Sequence, residues 1–398
     1  MSEQPFTVSI PEEKQELLHK KLALTTLPDE LEDSGWDYGV PLADIRRLVQ
    51  HWQHSFDWRA QERTINDALP QFTRNIEVEG HGAFNIHYAH TRSAVANAIP
   101  LCFVHGWPGS FLEALHITPL LVKPHSSESP AFHVVALSVP GYGFSEAPRK
   151  KAFGAEQYAE VAHKLMLSLG YNEYVTQGGD WGYRVTRRMA STYGPEHVKA
   201  WHTNFPQGTP TEEEKAKPIS AYSEYDQEAL RKTQDWIENE TGYSSIHRTK
   251  PQTLAYSLTD SPVGLLAWIY EKIVSWTDNY PWTDDEVLTW VSIYWFSRAG
   301  PAATIRPYYE IAQSQTGSNY VTNPTVPLGY SFFPKELTRQ PLEWANREGN
   351  VVFSRIHEKG GHFAAHEMPE ALVQDLRDMF GKGGPAFGVV DGKNGYVV

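Results

Sequence analysis

The chain has 398 residues, enough for one large or two ordinary domains. Its 35 Lys and Arg against 48 Asp and Glu give a formal charge of −13, which argues against general binding to nucleic acid or to an anionic membrane surface. A single cysteine, Cys102, excludes an intramolecular disulfide and a thiolate metal cluster.

Residues 1–75 are polar with scattered Trp and Pro, and read as an N-terminal segment of short helices and turns. Within it, Ile45, Leu48, Val49 and Trp52 share one face of an amphipathic stretch, Ala43–His54. Ile76, Val78 and Phe84–Tyr88 then alternate like an antiparallel hairpin. Short apolar runs follow at Leu101–Val104, Val134–Val139, Tyr174–Gln177, Ala200–His202 and Val351–Ile356. Helical patterns lie between several of them: Tyr158, Val161, Ala162, Leu165 and Leu169 share a face before Gly170, and Val185, Met189 and Tyr193 repeat at four-residue spacing. Strand–helix alternation of this kind predicts an α/β fold, with a mostly parallel sheet and helices on both faces. Residues 76–207 form its expected first half. Residues 208–320 break the alternation and read as a helical lid, rich in Trp and Tyr. Residues 321–380 complete the sheet, ending in a helix with Leu372, Leu376 and Phe380 on one face. The Gly-rich tail, 381–398, is expected to be loosely held. The N-terminus has no basic start followed by an apolar run, and no stretch reaches the roughly 18 apolar residues that span a bilayer. A soluble, cytoplasmic protein is therefore expected.

Three motifs carry chemistry. Gly178-Gly179-Asp180-Trp181-Gly182 follows a short strand and precedes a helix, the setting of a nucleophile elbow. Residues two positions either side of the nucleophile must be small, because their side chains would collide across the turn. Gly178 and Gly182 meet that need, and the central residue is Asp180 where such elbows usually carry Ser. A carboxylate needs no base to be nucleophilic and forms an ester with an electrophilic carbon. The second motif, His105-Gly106-Trp107-Pro108-Gly109-Ser110, follows the run Leu101–Val104. A loop there supplies one oxyanion-hole amide, so the Trp107 and Trp181 N–H groups are the expected pair. The third, Gly360-Gly361-His362-Phe363, follows the last strand and offers His362 as general base, with His357 and His366 as neighbours that could be mistaken for it. No HExxH, Walker or GxGxxG arrangement is present, and no metal or organic cofactor is expected.

HGWPGS, Gly141–Ser145 (GYGFS), GGDWG and Gly360–Ala365 (GGHFAA) together resemble the microsomal-type epoxide hydrolases, of α/β-hydrolase fold. Trp36–Pro41 and Phe56–Arg59 are similar to that family's N-terminal segment, and the resemblance runs from about Pro5 to Phe380. It implies an N-terminal meander that wraps core and lid. It implies a charge-relay acid at Glu336, within Phe332–Leu337, over the competing Glu343 and Glu348. It implies two lid tyrosines that donate protons, Tyr243 after Gly242 and Tyr308 after Arg306-Pro307, with Tyr309 as the alternative to the second. His105, Pro108 and Phe205 are the expected pocket wall. Membrane-bound relatives carry an anchor ahead of this segment, so a soluble form is implied.

The expected reaction adds water to a small lipophilic epoxide and releases a vicinal diol. Asp180 forms a hydroxyalkyl ester, and His362, oriented by Glu336, activates the water that cleaves it. Haloalkane dehalogenase chemistry is the nearest rival, since it shares the Asp–His logic. Halide needs soft N–H donors such as Trp, whereas an alkoxide needs a proton donor such as Tyr. Assaying halide release beside diol release separates the two. A serine hydrolase would have only Ser145 in GYGFS, outside a small-x-Ser-x-small turn. A non-catalytic ligand-binding member of the fold would have lost nucleophile, base or acid, and candidates for all three are present. A homodimer is left open.

Overall fold

The computed structural model describes residues 3–313 and 323–397. The expected boundary at 320/321 lies outside the described residues, as do Met1, Ser2 and Val398 of the expected end segments.

Among the described residues, nine strands form one sheet: β1 (Gln4–Phe6), β2 (Gln71–Val78), β3 (Gly82–Thr91), β4 (Ile99–Val104), β5 (Phe132–Leu137), β6 (Tyr174–Gly178), β7 (Val198–Thr203), β8 (Pro327–Phe332) and β9 (Asn350–Ile356). Their order is β1-β2-β3-β5-β4-β6-β7-β8-β9. The first four in that order pair antiparallel, and from β5 onward every pair is parallel. Every residue of β4 and β5 is buried, as befits parallel strands covered on both faces. The flanking helices include Ala114–Val122, Ala155–Ser168, Asp180–Tyr193 and Pro369–Phe380, each turning an apolar stripe to the sheet. In Ala155–Ser168 the stripe is Tyr158, Val161, Ala162 and Leu165, and Gly170 at φ +86 ends the run.

Between β7 and residue 313 the chain is helical, with Glu224–Asn239, Gly242–Thr249, Pro251–Asp260, Pro262–Ser275, Asp284–Trp295 and Arg306–Gln313 as the longer helices. The N-terminal helices Glu12–Ala23 and Leu42–His54 pack against Pro262–Ser275. Lys21 pairs with Asp260 at 2.6 Å, His51 bonds Asp285 at 2.7 Å, and Arg47 pairs with Asp284. The N-terminal segment thus lies against the helical layer. No helix among the described residues is long and apolar enough to cross a membrane.

Two strands are absent from the sequence reading. β1 is a three-residue edge strand, too short to carry a period. β8 is interrupted by Gly329 and Ser331, so it does not read as an apolar run. Ser331 is tolerated inside because its hydroxyl donates to Asp375. The tail, to residue 397, is docked and not loose. Ala131 N–H donates to Gly395 O at 2.8 Å, Gly395 N–H to Asn97 O at 2.9 Å, and Val390 and Tyr396 are buried. Backbone pairing fixes it despite its glycines.

Candidate active site

β4, β6, β8 and β9 end at the same edge of the parallel sheet, where open α/β sheets place their sites. After β6 the chain turns sharply into the helix Asp180–Tyr193, and Asp180 takes φ 47. A residue with a Cβ in that region costs about 1–3 kcal/mol unless its surroundings hold it there. The surroundings are tight. A Cβ on Gly178 would lie 2.7 Å from the Gly182 carbonyl carbon, and one on Gly182 would run into the Val104 carbonyl oxygen. Gly182→Ala is therefore expected to destabilise the fold by about 3 kcal/mol, the upper range for overpacking. A denaturation curve checks it, and an unchanged midpoint would remove the steric account.

The Trp107 N–H donates to Asp180 Oδ1 at 2.8 Å, so the loop after β4 grips the nucleophile candidate. Trp181 holds the second position of the helix, where N–H groups have no intrahelical acceptor. The loop itself is fixed from two sides. The His105 ring accepts from Val139 N–H at 3.2 Å and donates to Gly106 O at 2.9 Å, which ties the ends of β4 and β5 together. From the helix Asp284–Trp295, Trp290 Nε1–H donates to Pro108 O at 2.5 Å and the Tyr294 hydroxyl to Gly109 O at 2.6 Å.

His362 lies on the loop after β9. Its Nε2 is 3.7 Å from Asp180 Oδ2, and its Nδ1 meets Glu336 Oε1 at 2.5 Å. Glu336 follows β8 and is buried. His362 N–H donates to Trp276 O at 2.8 Å, and Phe205 meets its ring edge-on at 5.7 Å. Burial opposes protonation of His362, but Glu336, Asp180 and Glu113 outweigh it, and its pKa is raised to about 9. The competing groups are engaged elsewhere. Glu348 pairs with Arg187 at 3.1 Å, and Glu343 is exposed beside Lys217. His357 Nε2 bonds Asp375 at 2.6 Å, and His366 stacks on Trp282. The Ser145 hydroxyl donates to Ser138 O at 2.7 Å.

Tyr243 and Tyr308 come from two different helices, and their rings meet edge-on with centroids 6.1 Å apart. Tyr243 stacks on Trp107 at 5.1 Å, and Tyr308 meets Trp181 edge-on at 4.6 Å. Both phenols are pushed above their usual pKa, first by burial and also by the Asp180 charge, so they stay protonated. By hydrogen-bond geometry the Tyr308 hydroxyl has no partner among the described residues. Tyr309, next along the chain, is only half-buried.

One acid at this site escaped sequence reading. Glu113 is buried between the loop after β4 and the helix Ala114–Val122. Its carboxyl takes the backbone N–H groups of Gly106 and Ser110, and burial, opposed by His362 and reinforced by Asp180, pushes its pKa up to about 8. Ser110-x-x-Glu113 is a capping-box pattern, the one signal in the chain that pointed to it. Glu113, Gly106, Trp107, Asp180, Asn204 and His362 border a cavity of about 10 Å³, room for about one water.

Residues 3–114 match the family model for the epoxide hydrolase N terminus, and residues 99–226 match the alpha/beta hydrolase fold. A putative epoxide hydrolase of Stigmatella aurantiaca is 38% identical, with 94% of this chain and 84% of that protein covered. Epoxide hydrolase 1 of Sus scrofa is 35% identical over 95% of this chain and 88% of its own length. The structure of Aspergillus niger epoxide hydrolase superposes with a TM-score of 0.84 at 35% identity, covering 94% of this chain and 95% of that one.

Proposed function

Because the chain belongs to the epoxide hydrolase family and hydrolyses epoxides, we propose that it does so through an ester on Asp180. One observation carries the reading: Asp180 is gripped at Oδ1 by the Trp107 amide while His362, itself bonded to Glu336, stands 3.7 Å from Oδ2. That is a nucleophile, an oxyanion donor, a base and an orienting acid around one carboxylate.

An Asp180 oxygen attacks a ring carbon from behind. The carbon–oxygen bond of the epoxide breaks, and the oxygen leaves with the electron pair. Tyr243 and Tyr308 donate hydrogen bonds to it, and one of them gives it a proton. The product is a hydroxyalkyl ester. His362 then takes a proton from water, and the hydroxide adds to the ester carbonyl, whose oxyanion the Trp107 and Trp181 N–H groups hold. As the tetrahedral species collapses, His362 returns its proton to the departing diol oxygen. Asp180 emerges as the free acid, and its proton restores the phenol. The Trp107, Trp181, Tyr243 and Tyr308 rings make the pocket apolar, which suits a small lipophilic epoxide. Of the three residues expected to wall the pocket, Phe205 meets the His362 ring edge-on, whereas Pro108 and His105 serve the loop after β4, Pro108 through its carbonyl to Trp290 and His105 through Gly106 and Val139.

The test is isotopic. One turnover in heavy-oxygen water with excess enzyme puts label into the Asp180 carboxylate and leaves the diol unlabelled. Label in the first-turnover diol would sink the ester mechanism.

A pH profile reports on Glu113. In the ester Asp180 is neutral and no longer raises Glu113, so Glu113 ionises at lower pH than in the free enzyme, and its charge favours protonated His362. Glu113→Gln removes it, so His362 sheds its proton at lower pH. The limb of ester breakdown that rises with pH is expected to move toward acid, by up to about one unit. A limb that stays put or moves to alkali contradicts this electrostatic link.

A further inference from the structure

Lys272 lies on the helix Pro262–Ser275 and is only 4% exposed, although lysine is seldom buried without a purpose-built partner. Its ammonium pairs with Glu271 at 2.6 Å, and Glu271 keeps part of its surface in water. The same ammonium sits 4.8 Å from the centroid of the Tyr243 ring and 5.8 Å from that of Trp276. Tyr243 therefore has an indole stacked on it and a cation over its face. The other titratable groups in this field are Glu240 and His247, both of which feel the Lys272 charge, and Asp180, Glu271 and Glu336, whose charges oppose ionisation of Tyr243. Packing alone does not explain the choice, because a Leu or Met would fill the same space without a desolvated charge.

The geometry points to Lys272 as a positioning residue that tunes Tyr243 as proton donor. This rests on the reading of Tyr243 as a donor to the epoxide oxygen. A cation within about 6 Å of a ring face is attracted to the ring's π electrons, and more strongly when water is excluded. When Tyr243 shares its proton with the leaving oxygen, negative charge spreads into its ring. The attraction to the ammonium then exceeds that in the resting enzyme. An interaction stronger in the transition state than in the ground state raises the rate of the step itself. Lys272 touches neither substrate nor Asp180 in this account. Its effect passes through the ring of Tyr243, so it belongs to ring opening and not to hydrolysis of the ester.

The experiment separates the two half-reactions by single-turnover quench-flow on a chromogenic aryl epoxide, following ester formation and ester breakdown. Lys272→Met is expected to slow ester formation about tenfold and to leave ester breakdown within a factor of about two. Lys272→Arg keeps a cation over the ring and is expected to retain most of the rate. In a Tyr243→Phe background, Lys272→Met should add less than a further twofold loss. Equal slowing of both half-reactions, an undiminished effect in the Tyr243→Phe background, or no loss at all would overturn the assignment. If Lys272→Met is not recovered folded, Lys272→Gln carries the same comparison. A Tyr243→Phe variant that forms the ester at the parental rate would instead overturn the donor reading on which this one rests.

Discussion

A His362→Gln variant consumes about one equivalent of epoxide per active site and then stops, with the protein heavier by the mass of the epoxide. The reasoning starts from what each half-reaction needs. Asp180 attacks as a carboxylate and needs no base, so ester formation survives. Ester breakdown needs a proton taken from water, and a positioned base is worth roughly 10²–10⁴ in rate. Breakdown is therefore expected to fall by that factor, and the ester accumulates. Intact-mass spectrometry after mixing reads it directly. Continued turnover within tenfold of the parent, or a folded variant with no adduct, would contradict the assignment of His362.

The electrostatics of the base fit this order of events. In the free enzyme His362 is raised to about 9, so at pH 7 it is mostly protonated and unable to act as a base. Asp180 is one of the charges that raise it. Forming the ester neutralises Asp180 and removes that contribution. The sign is then fixed: the His362 pKa falls in the intermediate, and the base is released when it is needed. Ester breakdown should rise with pH through an apparent pKa below that of His362 in the free enzyme, and a limb at or above the free-enzyme value would contradict this link to the Asp180 charge.

Much of this site was legible because its motifs are local. A turn that must be sharp demands small residues at fixed offsets, so Gly178 and Gly182 announce Asp180. The loop after β4 and the loop after β9 were read in the same way, from an apolar run followed by Gly, Trp and His. The identities of Glu336, Tyr243 and Tyr308 had no such local signature. They come from separate strands and helices, and only the resemblance singled them out of many acids and 20 tyrosines. Glu113 and Lys272 went unread for a related reason. A charged residue normally marks a solvated face, and nothing in the sequence says that these two are buried. β8 was hidden because its Gly329 and Ser331 are excused by partners far along the chain. The tail was misjudged because backbone pairing by Gly395 and Asn97 leaves no mark in composition. Trp52 and Trp58 are buried within the N-terminal segment, and Trp36, though partly exposed, meets the Tyr270 ring of the helical layer at 5.9 Å.

A double variant, Tyr243→Phe with Tyr308→Phe, forms no ester at all on the timescale of parental turnover. Each tyrosine alone leaves one donor facing the epoxide oxygen. Loss of one well-placed donor to a developing oxyanion costs about 10²–10³, so either single variant keeps measurable ring opening. With both gone, the oxygen must leave as a bare alkoxide inside a pocket walled by rings. The combined loss is expected to be about 10⁴ or more, and larger than either single loss, because the second donor can no longer stand in for the first. The contrast with His362→Gln is qualitative, since that variant traps the ester whereas this one never reaches it. Folding should not suffer at position 308. Its hydroxyl is buried without a partner by hydrogen-bond geometry, so replacing it by hydrogen removes a desolvated group at little or no cost. Tyr308→Phe is thus expected to match or exceed the parent in thermal midpoint while losing activity. Tyr309→Phe, on the half-buried neighbour, should change ester formation less than about twofold. A double variant that still accumulates ester, or a Tyr309→Phe variant that loses more activity than Tyr308→Phe, would move the donor role to another residue.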